Sequence, residues 1–185
     1  MPILDSRIDT RSAAFAQNRE GHLKLLAEVR ALEGKVRANS ERARKKFEER
    51  GQLLPRDRID LLLDRGTPFL ALSTLCGYRC HDDDGEANIS GGGTIAGIGT
   101  VAGVRCILSA NDSGIKGGAA TPWGVEKGLR VQEIAMRHKL PYVQLVESAG
   151  ANLFRQAEMF VKGGRSFANE AKLSAAGIPV ISIVH

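Results

Sequence analysis

The sequence is poor in the residues that most often advertise chemistry. Its 185 residues hold three cysteines, four histidines, one tryptophan and two tyrosines. Cys76, Cys80 and Cys106 are too few and too unevenly spaced for a disulfide framework. Long apolar runs are missing as well: Gly, Arg or Asp interrupts each one before it reaches the ~18 residues of a membrane span. Met1–Leu4 gives way at once to Asp5, Arg7 and Asp9, which is neither a secretory signal nor an acid-poor transit peptide. These absences point to a reduced, cytoplasmic protein with no membrane partner. With aromatics at 5%, stacking platforms for single-stranded nucleic acid are scarce.

What is present is a globular balance, 43% hydrophobic and 25% charged, with a net charge of +5. The basic excess is local. Residues 19–50 carry ten basic and six acidic groups, whereas 51–185 carry 14 basic and 13 acidic. Such an arm reads as a solvated helix face rather than a nucleic-acid grip, so no nucleic-acid partner is expected.

From Asn18 to about Glu49 the spacing predicts a helix. Leu25, Val29, Leu32 and Val36 give it one narrow apolar stripe, which needs another surface to pack on. A short helix opens at Pro55 and carries Ile59, Leu62 and Leu63, and Phe69–Leu72 reads as a strand. Residues 76–93 form a polar loop that includes Asp82-Asp83-Asp84. Thr94–Val101 and Val104–Ala110 read as a hairpin turning at Ala102-Gly103. Beyond it, helices at Trp123–His138 and Arg165–Ala176 separate strands at Val104–Ala110, Pro141–Val146 and Pro179–Val184. That succession is right-handed β-α-β with a parallel core. The chain divides into a helical arm, 1–50, and an α/β region, 51–185.

Several familiar patterns fail on context. Gly97-Ile98-Gly99 with Gly103 mimics a dinucleotide fingerprint, but a strand follows where that motif needs a helix. Gly91-Gly92-Gly93 opens no helix either, so both sets of glycines are read as serving loops and the hairpin. Cys76, Cys80 and His81 could form half of a zinc site, yet no second ligand pair exists, and no metal is expected. Ser148 follows a strand as a nucleophile would, but Val146 stands where the elbow needs glycine. His22, His81, His138 and His185 have no spacing that identifies a triad.

The informative positions are the ends of the parallel strands, where such sheets bind ligands. After the first come Asn111-Asp112-Ser113-Gly114-Ile115-Lys116-Gly117-Gly118, small residues around one lysine suited to a phosphate. The helix behind adds Lys127, Arg130 and Arg137, and its N-terminus suits anions. After the second come Glu147-Ser148-Ala149-Gly150-Ala151-Asn152. There the backbone N–H groups of Ala149, Gly150 and Ala151 can converge on a developing oxyanion, each such donor being worth roughly 3–4 kcal/mol in a transition state. A solvated loop and a plain structural turn are the alternatives.

The run Leu53-Leu54-Pro55-Arg56-Asp57-Arg58-Ile59-Asp60-Leu61-Leu62-Leu63-Asp64 resembles the opening motif of carboxyltransferase (β) subunits of biotin-dependent acyl-CoA carboxylases. Ala110-Asn111-Asp112, Lys116-Gly117-Gly118 and Arg130-Val131-Gln132-Glu133-Ile134-Ala135 are similar to that family in the same order. So are Ser148-Ala149-Gly150-Ala151-Asn152 and Ala175-Ala176-Gly177-Ile178-Pro179. The resemblance runs from about residue 10 to the end.

It implies an α/β, crotonase-like spiral of β-β-α units, incomplete here and preceded by the helical arm. Residues 51–185 would be the first part of the N-terminal carboxyltransferase domain, with a second domain needed to complete the site. The chain alone is therefore not expected to carboxylate anything. In the family a carboxyl group passes from carboxybiotin, carried on a partner biotin carboxylase/biotin carboxyl carrier α subunit, to an acyl-CoA. Biotin itself is the base, and backbone N–H groups hold the thioester enolate, so no side-chain nucleophile or metal is required.

By this mapping Ala149 and Gly150 line the enolate hole. Lys116, Gly117 and Gly118 wrap coenzyme A, with Lys127 and Arg130 as further candidates. The full-length β subunits are expected to form a homo-oligomer. The family usually has Gly-Gly where this chain has Ala149-Gly150; if that position needs φ > 0, the methyl costs about 1 kcal/mol or more. Asn152-Leu153-Phe154-Arg155-Gln156 is more similar to the methylcrotonyl- and geranyl-CoA branch than to the propionyl- or acetyl-CoA branch. Two other readings stand beside this one. The first is a stand-alone crotonase-type hydratase or isomerase using Glu147; the second is an inactive fragment or binding module using the basic arm.

Overall fold

Ser12 begins the architecture by accepting the N–H of Phe15, which caps a helix from Ala13 to Glu41, α1. The computed structural model describes residues 5–184, so the expectations placed on Met1–Leu4 and on His185 lie outside the described residues. The helix starts five residues earlier than Asn18 and does not reach Glu49. It breaks at Arg42-Ala43 and resumes as α2, Arg44–Glu48, which turns Phe47 inward to 6% exposure. Along the apolar stripe Val36 is buried at 4%, whereas Leu25 and Val29 are exposed.

The arm docks by its C-terminal half. Asn39 Nδ2 donates to Ile89 O at 2.8 Å, Arg42 Nη1 to Ala87 O at 3.1 Å, and Lys35 pairs with Glu86. Arg44 bridges Glu41 and Asp57 at 2.6 and 2.8 Å. Part of the local basic excess is thus spent on contacts inside the chain.

Pro55 opens α3, Pro55–Leu62, where its missing N–H costs nothing and its fixed φ suits a first turn. A five-stranded sheet follows in the order β1-β2-β3-β4-β5: Leu70–Ala71, Thr94–Val101, Val104–Asn111, Tyr142–Val146 and Val180–Val184. β2 and β3 form the expected hairpin, and Asp64 caps its turn by accepting the N–H groups of Ala102 and Gly103 at 2.8 and 2.7 Å. β3, β4 and β5 are parallel, with Leu108 opposite Val143 and Val143 opposite Ile181. The crossovers are α4, Pro122–His138, and α5, Gln156–Ala175. Pro141 and Pro179 start the later strands by accepting from Ile107 N and Tyr142 N, both at 2.8 Å.

Alternation along the strands makes two cores. Leu108, Ala110, Val143 and Leu145 pack with Ile59 of α3 on one face. Ile107, Tyr142 and Ala96 pack with Val131 and Ala135 of α4 and Leu173 of α5 on the other. On the α3 face the cover stops short of β5, leaving Ile181 at 50% and Ile183 at 43% exposure.

α5 begins nine residues before the expected Arg165. Gly163-Gly164 argue against a helix there, but tertiary contacts override propensity. Lys162 pairs with Glu126, and Met159 is buried one turn into the helix. The Gly97-Ile98-Gly99 pattern is packing rather than a fingerprint. A Cβ at Gly97 would lie 2.4 Å from Phe69 Cζ and 2.6 Å from Leu70 O. Gly97→Ala is therefore expected to push β1 and Phe69 off the sheet at a cost of about 1–3 kcal/mol, read as a lower midpoint in chemical denaturation.

Candidate active site

The parallel pairing of β3 with β4 ends at Ala110 and Leu145, and the two chains then diverge and meet again. Asn111 Oδ1 fills the gap by accepting Glu147 N at 3.2 Å. Beyond it, Ala120 N donates to Gly150 O at 2.8 Å and Asn152 N to Ala120 O at 3.1 Å, a one-residue parallel bridge. Gly118 makes this approach possible. It sits at φ +74°, and a Cβ there would lie 2.3 Å from Glu147 O. The structure thus brings Gly117 and Gly118 against the 147–152 turn, with Lys116 beside them in the chain.

In that turn Gly150 occupies the left-handed region at φ +92°, and Ala149 does not. The methyl of Ala149 is accordingly tolerated without strain. The donors are not equivalent. Gly150 N–H is already taken by Ser148 Oγ at 3.1 Å. The N–H groups of Ala149 and Ala151 have no acceptor among the described residues, and the turn leads into the N-terminal end of α5, whose dipole favours negative charge.

Lys116 stands at the rim with its ammonium paired to Asp82. Each member of the acidic run has a separate task. Asp83, 7% exposed, accepts from Gly85 N and Ser90 N, both at 2.9 Å. Asp84 accepts from Asn88 N and Glu86 N, and those backbone hydrogen bonds hold its carboxyl below the usual range. Nearby, Glu158 takes His81 at 3.0 Å and Arg155 at 3.2 Å. Cys76 Sγ faces Trp123 O at 3.2 Å. Among the described residues no group of three or more His, Cys, Asp or Glu is placed to hold a metal ion.

Two candidates are placed elsewhere. Lys127 is 4% exposed, and its ammonium donates to Gly91 O at 3.1 Å and Thr94 O at 2.5 Å. It pins the Gly91–Gly93 turn beneath α4 and cannot reach a phosphate in solution. Burial pushes its pKa down to about 8. Arg130 lies on the outer surface of α4 with Glu133 at 3.3 Å, a carboxylate that Arg165 of α5 also approaches at 3.4 Å. Glu147 is held by Arg58 of α3 at 3.3 Å.

Between α4, α5 and the sheet lies a mostly apolar cavity of about 570 Å³. Ala120, Val146 and Ala151 set its mouth beside the turn, while Gly124, Gly128, Gly163 and Gly164 leave room along its helical walls. Its depth is polar in patches. Ser109 Oγ and Tyr142 Oη share a buried 3.0 Å hydrogen bond, and burial raises the Tyr142 phenol. Gln132 bonds Ser166 Oγ at 2.9 Å and Asn169 at 3.0 Å.

Sequence reasoning missed Ser40, Arg56, Arg58 and Asp82 as neighbours of the site. Lys127 could have been read correctly. It stands four residues before Val131 and eight before Ala135, on the core face of its own helix.

The carboxyl transferase domain model matches residues 46–185. The biotin-dependent 3-methylcrotonyl-coenzyme A carboxylase beta1 subunit of Mycobacterium tuberculosis is 43% identical over 95% of this chain and 33% of its own length. The crystal structure of the P. aeruginosa geranyl-CoA carboxylase beta subunit superposes with a TM-score of 0.87 at 54% identity, over 100% of this chain and 34% of that one. Transcarboxylase 12S, solved as a hexamer assembly with methylmalonyl-coenzyme A and methylmalonic acid bound, gives 0.74 at 26% identity, over 89% and 32%. The chain spans about a third of the length of these relatives.

Gly118→Ala is expected to separate the two loops and cost about 1–3 kcal/mol, because backbone on both sides must move. Gly163→Ala, with nothing within 4 Å of the added methyl, is the control, expected to stabilise by about 0.5–1 kcal/mol. Both are read from denaturation midpoints. Lys127 makes a pH signature. Its folded pKa lies below the ordinary 10.5, so between pH 8 and 10.5 the unfolded chain holds more protons and stability rises with pH. The burial cost is fully present below pH 8. Across that window wild type should gain about 3 kcal/mol relative to Lys127→Met, measured by urea unfolding at each pH.

Proposed function

The chain belongs to the carboxyl transferase domain family, and we propose that it serves in the carboxyltransferase (β) component of a biotin-dependent acyl-CoA carboxylase. Removing a proton next to a thioester needs the enolate oxygen held by fixed donors. The observation that carries the reading is the turn at 149–151, where Ala149 and Ala151 present N–H groups without acceptors among the described residues, and where Ala151 lines an apolar cavity. Backbone donors of this kind are oriented before reaction and need no reorganisation. Gly150 joins them when the Ser148 hydroxyl turns away.

Carboxybiotin, delivered by a biotin carboxylase/biotin carboxyl carrier partner, supplies the carboxyl group and then the base. This chain's share is to bind and orient the acyl-CoA. Lys116, with Gly117 and Gly118, meets the coenzyme, exchanging Asp82 for a phosphate. The acyl group enters the mostly apolar cavity beside the turn. The identity to the geranyl-CoA carboxylase beta subunit supports a branched chain of the methylcrotonyl or geranyl kind. Assembly of β subunits into a homo-oligomer is proposed by analogy with the hexamer described for transcarboxylase 12S. The hydratase reading lacks support, since Glu147 is neutralised by Arg58.

The test is transfer of a labelled carboxyl group from carboxybiotin to 3-methylcrotonyl- or geranyl-CoA by the assembled carboxylase containing this chain. Labelled product is expected; hydration of an enoyl-CoA without transfer would sink the reading. Within the same assembly Lys116→Glu should raise the Kd for the CoA ester about tenfold, the effect of reversing one charge at a phosphate contact. An unchanged Kd removes Lys116 from the site.

A further inference from the structure

We infer that Ser40, near the C-terminal end of α1, is a positioning residue that holds the 112–118 segment and, through it, Lys116 and Gly118 at the candidate site. The inference rests on the acyl-CoA reading of that site and names the arm as part of its machinery.

Ser40 is 1% exposed, and its hydroxyl donates to Asp112 Oδ1 at 2.6 Å; Asp112 is itself 1% exposed. The contact is more than one hydrogen bond. A Cβ at Gly114 would lie 2.8 Å from Ser40 O and 2.9 Å from Ser40 Oγ, so the backbone of the segment is seated directly on this serine. Farther along, the segment is held where Gly118 lies against Glu147 O and where Lys116 pairs with Asp82, and Ser40 seats its first half. Ile115 N bonds Asp112 O at 2.8 Å and Gly118 N bonds Ile115 O at 3.0 Å, both internal to it. Lys116, Gly117 and Gly118 all carry positive φ, at 49°, 63° and 74°.

The root of the segment is tied to the turn before β2, through Asp112 N on Gly93 O at 3.0 Å. The end of α1 and the residue after it also grip the facing loop, through Asn39 on Ile89 O and Arg42 on Ala87 O. That loop includes Asp82, the partner of Lys116. The arm therefore spans both walls beside Lys116. The hydroxyl of Ser40 selects one orientation of a carboxylate that also faces Arg56 and Lys127, and the loop follows the carboxylate.

The test uses the assembled carboxylase carrying this chain. Amide hydrogen exchange over 112–118 is followed by mass spectrometry in wild type, Ser40→Ala and Ser113→Ala, together with KM and kcat for the acyl-CoA. Ser113 is the control because its buried hydroxyl has no hydrogen-bond partner. Ser40→Ala is expected to speed exchange over 112–118 by about fivefold or more while the 94–111 hairpin keeps its rate. KM should rise about five- to twentyfold with kcat within about twofold, and Ser113→Ala should exchange as wild type does.

Unchanged exchange at 112–118 in Ser40→Ala overturns the inference. Acceleration spread equally over the hairpin also overturns it, because that marks global destabilisation alone. Local loosening with an unchanged KM breaks the link to substrate and overturns it too. If wild type binds no CoA ester, the carboxyltransferase reading fails on its own, and the exchange pattern still decides what Ser40 does.

Discussion

A carboxylate buried at the end of a central strand is the constraint around which the molecule is arranged. Asp112 follows β3 at 1% exposure, and burial raises its pKa despite the Ser40 hydroxyl and the nearby charges of Arg56 and Lys127. An ion in that position is tolerated only when its surroundings supply donors and opposite charge. Removing one partner of such a buried group typically costs about 3–5 kcal/mol. Four separate elements answer the requirement. α1 brings Ser40, α3 brings Arg56, α4 brings Lys127, and the turn before β2 accepts Asp112 N at Gly93 O. Arg56 Nε is buried beside a cavity of about 20 Å³ bounded by Asp112 and Lys127, which is room for one water molecule.

The same logic gives the Leu53–Asp64 motif a physical meaning. Leu54 and Ile59 are both 2% exposed and form the core side of α3. Arg56 faces the carboxylate after β3, and Arg58 reaches Glu147 after β4. Asp57 receives Arg44 from the arm, and Asp64 caps the hairpin turn. One short helix and the residues just after it therefore support both strand ends that form the candidate site, and also the hairpin that aims one of them. The glycine triplet acts likewise through its backbone. Gly91 O, Gly92 O and Gly93 O accept from Lys127, Thr121 and Asp112 respectively.

Much of this was legible along the chain. The hairpin, the helix after Pro122 and the alternation of strands with helices follow from local periodicity and turn chemistry, and all are present. Local rules failed where distant residues decide. Periodicity starts the last helix at Arg165, yet α5 begins at Gln156 because Lys162, Ser166 and Asn169 find partners on α4. Lys127 reads as a surface cation, and the carbonyls that bury it lie more than thirty residues away. Topology marks the strand-end turns as a candidate site, whereas the use of Gly150 N–H by Ser148 depends on coordinates of single atoms.

The opening scarcity of cysteine, histidine and aromatics has its counterpart in a site made of backbone. The sequence by itself determined the order of elements, the two turns of small residues after parallel strands and the family to which they belong. These depend on local dihedral preference and on periodic burial, which neighbouring residues settle among themselves. Only the tertiary structure decided which lysine stands at the surface and which is buried, which turn N–H groups lack acceptors among the described residues, and that the basic arm packs against the loops around Lys116. Those outcomes depend on desolvation and on donor–acceptor pairing between residues far apart in the chain, and only packing brings such residues within hydrogen-bond reach.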